Sequence, residues 1–164
     1  MDSIDKFNKL SKAEFISIFG NIFEKTEWIA ERCYESKPYN NPDELVSKMM
    51  KIFENIEKER HLEFLNSHPN LAVEKKLTED SKNEQKNASL NQCTDEEFVE
   101  FRKLNNEYKK KFGFPFIIAV KGKNKEEILN NFRQRLTNNI NLEFEEAKKQ
   151  VKKIASFRLS EIIK

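Results

Sequence analysis

Apolar residues recur along this chain at helical spacing, with charged residues filling the positions between them. Ser11-Lys12-Ala13-Glu14 is a capping box, a serine and a glutamate that each cover an unpaired backbone amide. It predicts a helix whose apolar face carries Phe15, Ile16, Ile18, Phe19, Ile22 and Phe23. Trp28, Ile29 and Cys33 predict a second, short helix. Asn41-Pro42-Asp43-Glu44 starts another: an N-cap, a proline at the first helical position, then acids at the positive end of the dipole. Leu45, Met49, Ile52, Phe53 and Ile56 follow as one stripe, and Leu62 and Leu65 predict a further helix running up to His68. Thr94-Asp95-Glu96-Glu97 is a second capping box, ahead of Phe98, Phe101, Leu104, Asn105 and Tyr108, and Gly113 predicts the stop. Asn124 caps a helix with Ile128, Leu129, Phe132 and Leu136. Leu142 to Ile163 forms the last, with Phe144, Ala147, Val151, Ile154, Phe157, Leu159 and Ile162.

One stretch breaks the helical pattern. Phe114-Pro115-Phe116-Ile117-Ile118-Ala119-Val120 is continuously apolar, and Pro115 disfavours helix for Phe114. It reads as an extended, buried segment. Three glycines and four prolines are too few to punctuate many short strands. The expectation is an all-α fold: a single compact multi-helix domain over residues 1–164, with about seven to nine helices and one extended apolar segment near residues 114–120.

Composition refines this picture. Fourteen phenylalanines among 164 residues argue for a packed core despite 35% charged residues and a mean hydropathy of −0.81. Lys+Arg 30 against Asp+Glu 28 nearly cancels, so no nucleic acid partner is expected. The lysine runs at 109–111, 121–125 and 148–153 lie among glutamates and read as solvated helix faces. Cys33 and Cys93 form neither a disulfide framework nor a metal site and read as reduced thiols. No apolar run approaches the ~20 residues of a membrane span. The N-terminus lacks a signal-peptide pattern and the C-terminus a peroxisomal address. A cytoplasmic protein without a membrane partner is expected.

His68 is one of two histidines. Pro69 restricts its backbone and ends the helix there, fixing a ring that titrates near neutrality at a helix end. His61, among Glu57, Lys58, Glu59 and Arg60, reads as an ordinary histidine on a charged helix face. Further on, Ser81-Lys82-Asn83-Glu84-Gln85 places Ser81 and Glu84 on one helical face with Gln85 adjacent. A hydroxyl, a carboxylate and an amide together suit a polar, urea-like group. His68 and Glu84 are then a candidate proton-transfer pair. Arg158 stands beside the core face, placed either to hold a substrate oxygen or to form a structural ion pair. The main chain of Phe116, Ile117, Ile118, Ala119 and Val120, if uncovered on one edge, offers N–H donors for a carbonyl or oxyanion. Otherwise it is ordinary buried core.

Taken together, His68 to Ala72 (His-Pro-x-Leu-Ala), Ser81 to Gln85 (Ser-x-x-Glu-Gln), Leu104 to Phe116 (Leu-Asn-x-x-Tyr-x-x-x-Phe-Gly-Phe-Pro-Phe) and Arg158-Leu159 closely resemble the OHCU decarboxylase family. OHCU is 2-oxo-4-hydroxy-4-carboxy-5-ureidoimidazoline, the last unstable intermediate between urate and (S)-allantoin. The resemblance implies an all-α fold, a homodimer, and decarboxylation of a ureidoimidazoline without metal or organic cofactor. It makes His68 the proton donor. Pro69, Ser81, Lys82, Asn83, Glu84, Gln85 and the run from Phe116 to Val120 become the substrate-binding stretches, and Arg158 matches a late active-site arginine. Asn70 stands where the family often has aspartate, and Val73 and Ser89 where glycine is common. A β-branched Val73 does not take the positive φ open to glycine, so the loop from His68 to Ser81 is expected to run differently. Two rival readings accompany this one: a helical interaction module that keeps the fold without the reaction, and a lyase on another ureido compound.

Overall fold

The computed structural model describes residues 3–23, 26–68 and 94–163. Among these residues there are eight helices and no strand. In chain order they are α1 (Ser3–Asn8), α2 (Lys12–Phe19), α3 (Glu27–Glu35), α4 (Pro42–Glu54), α5 (Lys58–Asn66), α6 (Asp95–Phe112), α7 (Lys125–Arg135) and α8 (Ile140–Ile162). The expected all-α class is what the chain adopts. No helix among the described residues is long and apolar enough to cross a membrane.

The start signals work as the sequence predicts. Ser11 and Thr94 form complete capping boxes with Glu14 and Glu97, and Asn41 and Asn124 cap α4 and α7 through their side chains. The cap carboxylates of Glu14, Glu44 and Glu97 are held below their ordinary range, chiefly by the backbone amides they accept from. Gly113 ends α6 in the left-handed region at φ 81°, where its N–H donates to the Lys109 carbonyl at 2.8 Å. Two details differ from the pattern. Helix α2 stops at Phe19, so Ile22 and Phe23 are buried beyond its end, while Ile18 turns outward at 36% exposure. The short helix α1, with Asp5 in its first turn, is not among the elements the apolar pattern predicts.

The chain divides into two compact units, residues 1–64 with 152–164, and residues 65–151. In the first, α2 packs on α3 and α3 on α4. Its centre is aromatic: Phe23 stacks on Phe53 at 4.8 Å, and Phe64 meets Phe53 edge-on at 5.4 Å. Cys33 is buried there against the Tyr39 hydroxyl at 3.0 Å, and burial pushes its thiol up to about 11. In the second unit α6 packs on α7. Tyr108 is the hub, with Phe112, Phe114, Phe116 and Phe132 all within 6 Å of its ring.

One expectation needs correcting in the first unit. His61 is not on a charged helix face; it is 4% exposed. His61, Phe64 and Leu65 recur at i, i+3 and i+4, which is the buried stripe of α5, while Leu62 is only half-buried. The ring donates from Nε2 to the Phe53 carbonyl at 2.7 Å and lies edge-on to the Phe53 ring at 5.1 Å.

Candidate active site

His68 follows the end of α5. Its amide still bonds the Leu65 carbonyl at 3.2 Å, a last tightened turn, and the residue is half-buried. This is the helix-end position expected from the proline that follows. Pro69, Ser81, Lys82, Asn83, Glu84 and Gln85 lie outside the described residues, as do Asn70, Val73 and Ser89.

The run from Phe114 to Val120 belongs to the same unit as His68. It is neither helix nor strand, and Phe116, Ile117, Ile118, Ala119 and Val120 are all buried. A buried main chain without a ladder needs partners for its polar groups. Arg135 Nη1 donates to the Ile117 carbonyl at 2.6 Å, and Lys123 Nζ to the Ala119 carbonyl at 3.0 Å. Among the described residues one amide of Phe116 to Val120 has a protein acceptor: Ala119 N–H donates to Gln150 Oε1 at 3.0 Å.

Behind this run lies a buried polar cluster. The Glu143 carboxylate, with no exposure, accepts from Arg135 Nε at 2.8 Å, from the Tyr108 hydroxyl at 2.6 Å and from Asn138 Nδ2 at 3.0 Å. Arg135 Cζ sits 4.4 Å from the centre of the Phe116 ring, which stacks on Phe132 at 3.8 Å. Burial drives the Tyr108 phenol far above its ordinary value, with the Arg135 charge opposing that shift and the Glu143 hydrogen bond adding to it. Tyr108 is therefore a fixed donor, not a base. Neither Arg135, Glu143 nor Gln150 stood out as a site residue in the chain. The signal available was that Glu143 and Gln150 fall on the apolar stripe of α8, with Ala147, Val151 and Ile154. Polar groups on a buried stripe must have partners.

Arg158 belongs to the other compact unit, is buried, and donates from Nη1 to the Asn21 carbonyl at 2.7 Å. No group of three or more His, Cys, Asp or Glu placed to hold a metal ion occurs among the described residues.

Two solved structures share this fold. A crystal structure of (S)-allantoin synthase matches with a TM-score of 0.80 and 28% identity, covering all of this chain and 54% of that one. A crystal structure of an OHCU decarboxylase in the presence of (S)-allantoin matches with a TM-score of 0.70 and 26% identity, covering 83% of this chain and 90% of that one. The chain belongs to the OHCU decarboxylase family, whose profile matches residues 8–160. Among its relatives is the uric acid degradation bifunctional protein of Bacillus sp. strain TB-90, 42% identical over the whole of this chain. The chain spans 33% of the length of that relative. The 2-oxo-4-hydroxy-4-carboxy-5-ureidoimidazoline decarboxylase of Haloferax volcanii is 35% identical, over 97% of this chain and 95% of that one.

Proposed function

We propose that residues 1–164 act as one OHCU decarboxylase-like domain, a carboxy-lyase that converts 2-oxo-4-hydroxy-4-carboxy-5-ureidoimidazoline to (S)-allantoin in urate degradation. The observation that carries this is the family match from residue 8 to residue 160. It is supported by a relative named for this decarboxylation, of which the chain covers 95%.

The chemistry asks for few groups. Loss of CO2 from the hydroxylated ring carbon leaves an electron pair that moves into the adjacent carbon–nitrogen double bond, so the imidazoline ring is its own electron sink and no cofactor is called for. The enol-like product then takes a proton at the neighbouring carbon. Delivery to one face sets the S configuration. His68, a titratable ring at a helix end, is the proton donor. Glu84 holds the ureido arm and tunes His68, with Ser81 to Gln85 and Pro69 completing the substrate-binding stretches. Main-chain donors between Phe116 and Val120 hold the ring carbonyl. The working form is a cytoplasmic homodimer.

The test is turnover of freshly generated OHCU in the presence of a chelator, followed by circular dichroism of the product. (S)-Allantoin formed well above the uncatalysed rate is expected. His68→Asn should lower the rate on the order of 10²–10⁴-fold, the range of general acid–base catalysis. Racemic allantoin at the uncatalysed rate would sink the reading, and a folded His68→Asn protein of near wild-type activity would remove His68 from it.

A further inference from the structure

Besides Lys123 on the Ala119 carbonyl, two residues from different helices fasten the apolar run from Phe116 to Val120. Arg135 is the last residue of α7 and Gln150 lies in the middle of α8. Arg135 spans four partners at once: Glu143 through Nε, the Ile117 carbonyl through Nη1, the Tyr108 hydroxyl through Nη2, and the Phe116 ring across its face. Only a planar guanidinium with several fixed donors does this; a lysine ammonium is a point charge. Gln150, 7% exposed, accepts the Ala119 amide through Oε1, while its Nε2 donates to Glu146 Oε1 at 2.8 Å, which fixes the amide's orientation.

A buried ion pair such as Arg135–Glu143 confers no more stability than well-packed apolar side chains of like volume. What it adds here is position. Glu143 is itself held by Tyr108 and Asn138, so the arginine has an immobile anchor. The run is thus gripped at the Ile117 carbonyl and at the Ala119 amide. Among the described residues the amides of Phe116, Ile117, Ile118 and Val120 donate to no protein acceptor, although their residues are buried. Buried donors without an acceptor are costly. With a glutamine on one of them, its neighbours are left open to another acceptor.

We propose that Arg135, anchored by Glu143, and Gln150 are positioning residues that hold the Phe116–Val120 main chain so that its remaining amides meet the oxygen of the substrate. This rests on the reading of that run as the site of the ring carbonyl. Arg135 and Gln150 do not touch substrate; they act through the backbone they fasten.

Arg135→Lys and Gln150→Leu test this, with steady-state kinetics on OHCU and hydrogen exchange of the peptide covering residues 114–121. Displacement of a binding element by about an ångström is expected to lower kcat/KM on the order of 10- to 100-fold. The loss should appear mainly as a raised KM, with faster exchange confined to that peptide. A role in stability alone would lower Tm and leave the KM of the folded protein unchanged. The exchanged pair Glu146→Gln with Gln150→Glu keeps an acceptor at the Ala119 amide and should restore KM. It also serves if Arg135→Lys fails to fold. A folded Gln150→Leu protein with wild-type KM and wild-type local exchange overturns the inference. An inert wild-type protein whose variants still exchange faster at 114–121 overturns the substrate role alone; with unchanged exchange it overturns both.

Discussion

His61 and His68 stand on the same short helix and just beyond its end, and packing gives them different work. His61 lies on the buried stripe of α5, its Nε2–H spent on the Phe53 carbonyl. Replacing it with Asn removes an aromatic contact and shortens the reach to that carbonyl. The expected cost is about 1–3 kcal/mol, that of a buried hydrogen bond broken with its acceptor left behind. Thermal unfolding should show it as a lower Tm, with the rate per folded molecule unchanged. His68→Asn should do the reverse. A His61→Asn protein as stable as wild type would return His61 to the surface. The charges flanking His61 suggested solvent, and the spacing to Phe64 and Leu65 was the better guide. Burial of a single residue follows the phase of its helix, not the polarity of its sequence neighbours. The same lesson covers Glu143 and Gln150, whose positions on the α8 stripe announced burial but not what they would hold.

At the level of elements, local chemistry wrote the ends clearly. Each capping box and each asparagine cap lies where its side chain can reach an otherwise unpaired amide, a short-range requirement that any sequence displays. The turn at Ser67-His68 was equally visible in Pro69. What could not be read was the length of α2, where apolar residues continue past the last helical turn because the core continues. The run from Phe114 to Val120 shows both sides. Its burial was plain from composition, while the Arg135 and Gln150 partners of its main chain come from α7 and α8, farther along the chain. Gly113, at the entrance to that run, allows a direct test. A Cβ there would meet nothing within 4 Å, so substitution costs only backbone strain. Gly113→Ala should destabilise by about 1–2 kcal/mol, the penalty of a left-handed non-glycine residue. Gly113→Asn should cost less. Denaturant melts of both variants check this, and an alanine variant as stable as wild type would mean that α6 ends by some other geometry.

For the whole molecule the family match spans residues 8–160, and the final prediction is its assembly. The resemblance implies a homodimer, and apolar side chains remain at the surface among the described residues: Val99 on α6, and Ile140 and Leu142 in the first turn of α8. Scattered apolar residues are ordinary on any surface, so they become meaningful only if an interface covers them. A stable interface hides about 800 Å² on each partner, with apolar residues concentrated at its centre. Light scattering at micromolar concentration should therefore give a mass near twice 19.5 kDa. Val99→Asp and Leu142→Asp, made separately, then locate the contact. The substitution that lies within the interface should yield monomers, and the other should leave the dimer intact. If both remain dimeric, the interface lies elsewhere on the molecule. A wild-type protein that is monomeric at micromolar concentration and still turns over OHCU would show that one copy is sufficient, and the dimer would drop out of the proposed working form.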